Sequence, residues 1–293
     1  TATSTFNISA GSVNLTGNLG MGATTLRALN AATASISITG TGSLTVEGNI
    51  RYTDGLGTET NTITLNGGTL DMTDGTIGGT GSGANQGVIT FNAQSGTLRN
   101  LNQLNGGGLL DKTTTGTLIL DTANSYTGAT VVSAGILAIS HGGALGGTTN
   151  GTSVAAGGTL ALSGGITVSG ESLTLTADST ANNASLSNAS GSNTWSGNLT
   201  VDTGTGSGRA LLESAAGSNL LVTGNINLAA GSNDFVLRGD GNGEISGQIT
   251  GSQRLFKSSV GAGTWILSGD NSSTFTGRAT VSNGTIEISS ESN

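Results

Sequence analysis

The chain has 293 residues, a net charge of −8, no Pro, no Cys and 52 Gly. Its acidity excludes a nucleic-acid partner, since a phosphate backbone is gripped by a basic surface, and the lack of Cys excludes disulfides and thiol chemistry. No stretch approaches about 18 consecutive apolar residues, so no membrane insertion is expected. Pro removes a ladder donor and stays out of central strands, whereas Gly supplies the positive-φ corners between them. Charged residues make up 9% and aromatics 3%, too few anchors for a large compact core. Disorder couples low hydrophobicity to high net charge; here charge is sparse and Val, Ile and Leu fall in regular pairs. The start at Thr1, without Met or a leader, reads as a processed or trimmed chain.

Taken in chain order, apolar alternations of period 2 recur. They include Val13–Leu15, Ile36–Ile38, Leu44–Val46, Ile63–Leu65, Leu118–Leu120, Leu160–Leu162, Leu173–Leu175, Leu220–Val222 and Ile286–Ile288. Each is bounded by Gly, Asn, Ser or Asp, the signature of short strands. No apolar stripe of helical period is sustained for three turns. Many short strands allow a sandwich, a barrel or a solenoid, and self-similarity decides. Tyr126-Thr127-Gly128 is echoed by Phe275-Thr276-Gly277, Val132–Ile139 aligns with Val281–Ile288, and Gly116–Leu120 with Gly263–Leu267. Units that cannot bury an apolar face alone must stack. The expectation is one all-β parallel β-solenoid domain over residues 1–293. At roughly 20–25 residues per coil it makes about a dozen coils.

The run Gly107–Ile139 (GGLLDKTTTGTLILDTANSYTGATVVSAGILAI) resembles the autotransporter-associated β-strand repeat of bacterial passenger domains. Leu110, Lys112, Leu118, Leu120, Asn124, Tyr126, Gly128, Thr130, Val132 and Gly135 carry the resemblance. A more divergent copy spans 255–288, and Gly96–Leu101 and Ser192–Gly197 are similar to flanking and spacer sequence of such proteins. The resemblance implies a right-handed parallel β-helix at the bacterial cell surface or otherwise extracellular. An aromatic-rich barrel does not follow the repeats, so the chain reads as a passenger fragment or a free-standing relative.

Candidate chemistry is sparse. Glycan-cleaving enzymes need clustered carboxylates, whereas Asp54, Glu59, Asp121, Asp178, Asp202 and Glu213 stand singly. Asp71 and Asp74 are close, but Asp74-Gly75 reads as a turn, and His141 lies in the turn-like Ser140–Gly143. No enzyme, catalytic residue or cofactor site is expected. Asp240, Asn242 and Glu244 alternate oxygen ligands in a Gly-rich loop and form the one candidate for calcium, short of a full ligand set. Arg238-Gly239-Asp240 matches the integrin tripeptide but reads as a solvated corner. Trp195 and Trp265 read as core, Lys112 and Lys257 as solvated coil edges, and Asn124 and Asn271 as corner residues able to form amide ladders. Thr113–Thr115 and Thr203–Thr205 are too sporadic for an ice-binding face. Long insertions are limited to residues 78–87 and 204–208.

These readings predict a structural extracellular protein that associates with itself head to tail into a fibre or surface layer. Phe6 and Ile8 in an edge-adding first strand, and Thr285, Ile286 and Ile288 in the last, are the residues expected to mediate it. The alternative is an adhesin-type passenger whose flanks bind glycans or host surfaces.

Overall fold

The computed structural model describes residues 3–21, 33–52, 61–79, 87–178, 183–202, 208–228, 234–272 and 274–289. None of them is helical. Strands pair in parallel with strands one coil away, which makes the fold an all-β parallel solenoid. The chain falls into two compact units, residues 1–130 with 143–150 and residues 131–142 with 151–293.

In the first unit the strands Thr33–Val46, Asn61–Asp71 and Thr90–Arg99 lie in register, with Thr3–Ile8 and Ser12–Leu15 on the outer edge of the first. Alternation places Ile36, Ile63 and Phe91 in one column, and Ile38, Leu65 and Ala93 in the next. Each long strand bends midway at a positive-φ glycine, Gly40, Gly67 or Gly96, so one strand serves two faces. A third face is built by Leu19–Met21, Ile50–Tyr52, Thr76–Ile77 and Gln103–Leu104.

The second unit has three stacks. One runs through Thr152–Val154, Leu173–Thr176, Leu199–Asp202, Ile226–Leu228 and Ile249–Gly251. The next holds Gly135–Ile139, Gly158–Leu162, Leu186–Asn188, Arg209–Ser214, Asp234–Arg238, Arg254–Lys257 and Ala279–Val281. The third holds Thr167–Val168, Ser192–Trp195, Asn219–Val222, Asn242–Ile245, Thr264–Leu267 and Thr285–Ile288.

Coil length varies. Hydrogen-bonded partners one coil apart are separated by 30 residues at Thr5 and Ser35, but by 20 at Asp234 and Arg254. The first coils are therefore wider than the spacing expected from the repeat. The two similar segments also differ in placement. Gly135–Ile139 of the first shares a stack with Arg254–Lys257 and Ala279–Val281 of the second. The second's equivalent strand, Thr285–Ile288, lies in the third stack instead.

Corners share one device. Gly17-Asn18, Gly48-Asn49 and Gly75-Thr76 follow one another up the first unit, and Gly197-Asn198, Gly224-Asn225, Gly247-Gln248 and Gly269-Asp270 up the second. A Cβ on Gly75 would sit 1.8 Å from the Gly48 carbonyl oxygen, and one on Gly224 would sit 1.9 Å from that of Gly197. The adjoining amides form the ladder. Asn18 Oδ1 accepts from Asn49 N at 2.9 Å and Asn49 Oδ1 from Thr76 N at 2.7 Å. Asn198 and Asn225 repeat this at 3.0 Å each.

Asn124 and Asn271 behave differently from the amide stacking expected of them. Asn124 accepts from Leu101 N and donates to Ala144 O, while Asn271 accepts from Ile249 N and donates to Gly269 O. They satisfy corner backbone rather than each other.

Leu118 is fully buried and Ile286 half-buried. Leu118→Asp should lower unfolding stability by about 4 kcal/mol or more, because it buries an unpaired charge, and Ile286→Asp by clearly less. Equal, small losses in chemical denaturation would show the inward face to be misassigned. Gly96 has φ +106°, and a Cβ there would lie 1.8 Å from Gly67 O. Gly96→Ala should cost about 2 kcal/mol or more. A thermal midpoint unchanged from the parent would contradict that close approach.

Candidate functional site

The two Trp residues are fully buried, with Trp265 taking the inward position that Leu118 holds in the first repeat segment. Lys112 and Lys257 are not solvated edges, as their sequence context predicted. Both are completely buried. Parity explains it: each lies two residues after an inward Leu, Leu110 or Leu255, so its stem joins the apolar row. Lys112 Nζ donates to Thr114 O, and Lys257 Nζ to Gly261 O at 3.0 Å. Burial pulls both ammonium groups below the ordinary lysine range, with Asp111 and Asp240 opposing that shift.

The acids are occupied in joining coils. Asp71 Oδ1 accepts from Thr73 N and Asn100 Nδ2, and Asp74 lies in a positive-φ turn. His141 is exposed in a turn. Asp240 Oδ1 accepts from Ala262 N at 3.0 Å, Asn242 Oδ1 from Thr264 N at 3.0 Å, and Glu244 Oε1 from the Ser268 hydroxyl at 2.6 Å. Each calcium candidate thus directs an oxygen to the next coil. Among the described residues no group of three or more His, Asp or Glu is placed to hold a metal ion. Arg238 of the tripeptide is ion-paired to Glu213 on the neighbouring strand. Thr203–Thr205 and most of the 78–87 and 204–208 insertions lie outside the described residues.

The expected assembly residues fall on outer strands. Thr3–Ile8 pairs with Thr33–Ile38, and Thr285–Ile288 with Thr264–Leu267. Ile8 is buried and Ile286 half-buried, whereas Phe6 is 41% and Ile288 71% exposed.

Three features escaped sequence reading. The first is a chain of ion pairs on the second unit's Arg-bearing stack. Arg254 grips Asp234 with Nε at 2.8 Å and with Nη2, and Arg209 approaches the same carboxylate at 3.7 Å. The Asp234 hydrogen bond holds the Arg254 guanidinium above its ordinary pKa. The second is Arg99 with Asp121, a two-point pair in the first unit that holds the Asp121 carboxyl below the usual range. The third is Glu171, only 2% exposed. Its Oε1 accepts from the Thr152 hydroxyl at 2.7 Å, and Oε2 is buried without a partner among the described residues.

A family model described as Passenger-associated-transport-repeat matches residues 110–139 and 260–288. No curated protein and no solved structure matches the chain. The two matches fall on the segments whose aromatic and Gly positions align, with Lys112 inside the first and Lys257 just before the second, and both segments are parallel solenoid strands joined by corners.

Burial raises the Glu171 carboxyl above its ordinary range, against a smaller lowering by the Thr152 hydroxyl. The folded state therefore holds this proton more tightly than the unfolded chain. Its contribution is fully present below the unfolded carboxyl range and is lost as pH rises through the raised folded value. Glu171→Gln should flatten that fall and leave stability at neutral pH equal to or above the parent's. Denaturation across pH checks this; a variant weaker than the parent at neutral pH would mean that the carboxylate is stabilised there.

Proposed function

We propose that this chain is a non-catalytic passenger-type β-solenoid, displayed outside the cell, whose open first and last strands let copies associate end to end. The two passenger-repeat segments support the passenger reading. The commitment of Asp71, Asp121, Asp234, Asp240 and Glu244 to cross-coil hydrogen bonds supports a structural rather than catalytic use of acids.

The observation that carries end-to-end association is the pair of half-used strands. Thr3–Ile8 and Thr285–Ile288 are each paired on one side among the described residues, with Phe6 and Ile288 exposed. An unpaired strand edge with an apolar row beside it is a template for another strand. Contact between unlike ends is heterologous, and a rotation that does not close yields a filament.

A second reading, an adhesin-type passenger that binds glycans or host surfaces, is favoured by the concentration of arginines on one stack of the second unit.

Electron microscopy and sedimentation of the intact chain test the first reading. Filaments or concentration-dependent oligomers are expected, and the Phe6→Asp, Ile288→Asp double variant should reduce them to single chains while retaining a β circular-dichroism spectrum. Single chains at all concentrations, or filaments indifferent to the double variant, would refute end-to-end association. Incubation with pectate and alginate, with and without calcium, should yield no shorter products; turnover abolished by Asp71→Asn or Asp240→Asn would overturn the non-catalytic assignment.

A further inference from the structure

The corners of the first and last described coils share one spacing. In the first coil the inward side chains are Phe6 and Ile8, then Val13 and Leu15, because these pair with the buried Ile36, Ile38, Leu44 and Val46. In the last coil they are Ala279 and Val281, then Ile286 and Ile288, which pair with the buried Leu255, Lys257, Trp265 and Leu267. Both series run at intervals of two, five and two residues. Both turn at a glycine three residues past the second inward position, Gly11 with φ +74° and Gly284 with φ +70°.

Neighbouring corners do not share this spacing. The coil on which the first one packs steps six residues from Ile38 to Leu44, with a register shift between Gly40 and Ser43. The coil on which the last one packs steps eight, from Lys257 to Trp265. The two outer corners therefore match each other more closely than either matches the coil beneath it. Neither has a strand on its far side among the described residues, and their apolar rows are open there. Phe6, Ala279, Val281 and Ile288 are exposed and Val13, Leu15 and Ile286 half-buried, although every residue they stack on is buried. Ile8 is already buried and offers only its backbone edge. Free edges are commonly blunted by charge or Pro, but residues 3–21 hold no Lys, Arg, Asp, Glu or Pro.

We propose, on the basis of end-to-end association, that Phe6–Leu15 of one copy stacks on Ala279–Ile288 of the next as one more coil of parallel ladder. The glycines set the register. Gly11 lies over Gly284, which puts Phe6 on Ala279, Ile8 on Val281, Val13 on Ile286 and Leu15 on Ile288. Outward, Thr5 and Asn14 face Arg278 and Glu287, so no like charges meet. A slip of one residue would turn each inward side chain outward. A slip of two would set the Gly11 turn against Ser282 or Ile286, and the corners would no longer coincide. Contact between two like ends would pair the strands antiparallel and lose the match.

The test is disulfide trapping, in a chain with no Cys of its own. Paired residues on parallel strands sit about 4.8 Å apart, within the span of a disulfide, whereas an offset of two residues adds roughly 6.6 Å along the strand and exceeds it. Asn14 and Glu287 are exposed and lie on outward positions. Asn14→Cys copies mixed with Glu287→Cys copies should give a covalent dimer on mild oxidation, with the β spectrum of each unchanged. Roughly tenfold less should form when Thr285→Cys takes the place of Glu287→Cys, and neither Asn14→Cys nor Glu287→Cys alone should dimerise. Oligomers that form without the Asn14–Glu287 link, or that trap position 14 with position 285 equally well, overturn the register while end-to-end association stands. A dimer of Glu287→Cys with itself means that like ends meet, and overturns it too. If the chains stay single at all concentrations, the register and end-to-end association fail together.

Discussion

Every coil of this solenoid depends on the distance between one backbone and the next. Parallel ladders hold successive strands about 4.8 Å apart, and at the corners the chain comes closer than a side chain allows. The Gly48, Gly197 and Gly224 carbonyl oxygens occupy the space in which a Cβ on the next coil's glycine would lie, 1.8, 1.9 and 2.0 Å away. The glycines are therefore points of contact between coils rather than slack in the chain. The residue after each glycine then turns contact into register. An Asn there accepts the N–H of its counterpart one coil on, fixing which residue stacks on which. The apolar columns follow, because a one-residue slip would send every inward side chain outward.

Charge is handled by the same rule. Stacked strands bring equivalent positions into contact, so a like charge repeated on successive coils would repel its neighbour. Arg209, Asp234 and Arg254 alternate instead, as do Glu213 with Arg238 and Arg99 with Asp121. The buried lysines solve a different problem. Their stems fill an apolar row, and their ammonium groups donate to the Thr114 and Gly261 carbonyls.

Legibility in the sequence tracked the range of the interaction. Period-2 alternation is local, so strands, inward Leu118 and Trp265, and the parallel solenoid could be read directly. Lys112 reads by its charge as a solvated edge, whereas its parity with Leu110, equally local, sets it in the inward row. The Arg209–Asp234–Arg254 chain was out of reach for another reason. Its members are 25 and 20 residues apart, and elsewhere partners are 28 to 30 apart. With no fixed coil length, sequence spacing does not tell which residues stack. Glu171 resembled any corner acid, since nothing near it marks the position as buried.

The two passenger-type repeats bear on where specificity resides. The last strand of the first segment shares a stack with the opening and middle strands of the second, while the second's last strand joins a different stack. The repeat is thus a corner with its flanking strands, usable on more than one face, and not a whole coil with fixed sides. Its shared positions are the ones that solve packing: buried Lys, buried Leu or Trp, and glycines in close approach. They carry the fold and leave the surface unspecified. The distinctive outward chemistry of the second unit, Arg209 through Arg254, lies between the segments matched by the repeat model. A change to that outward surface would leave undisturbed the glycine and Asn contacts that set register.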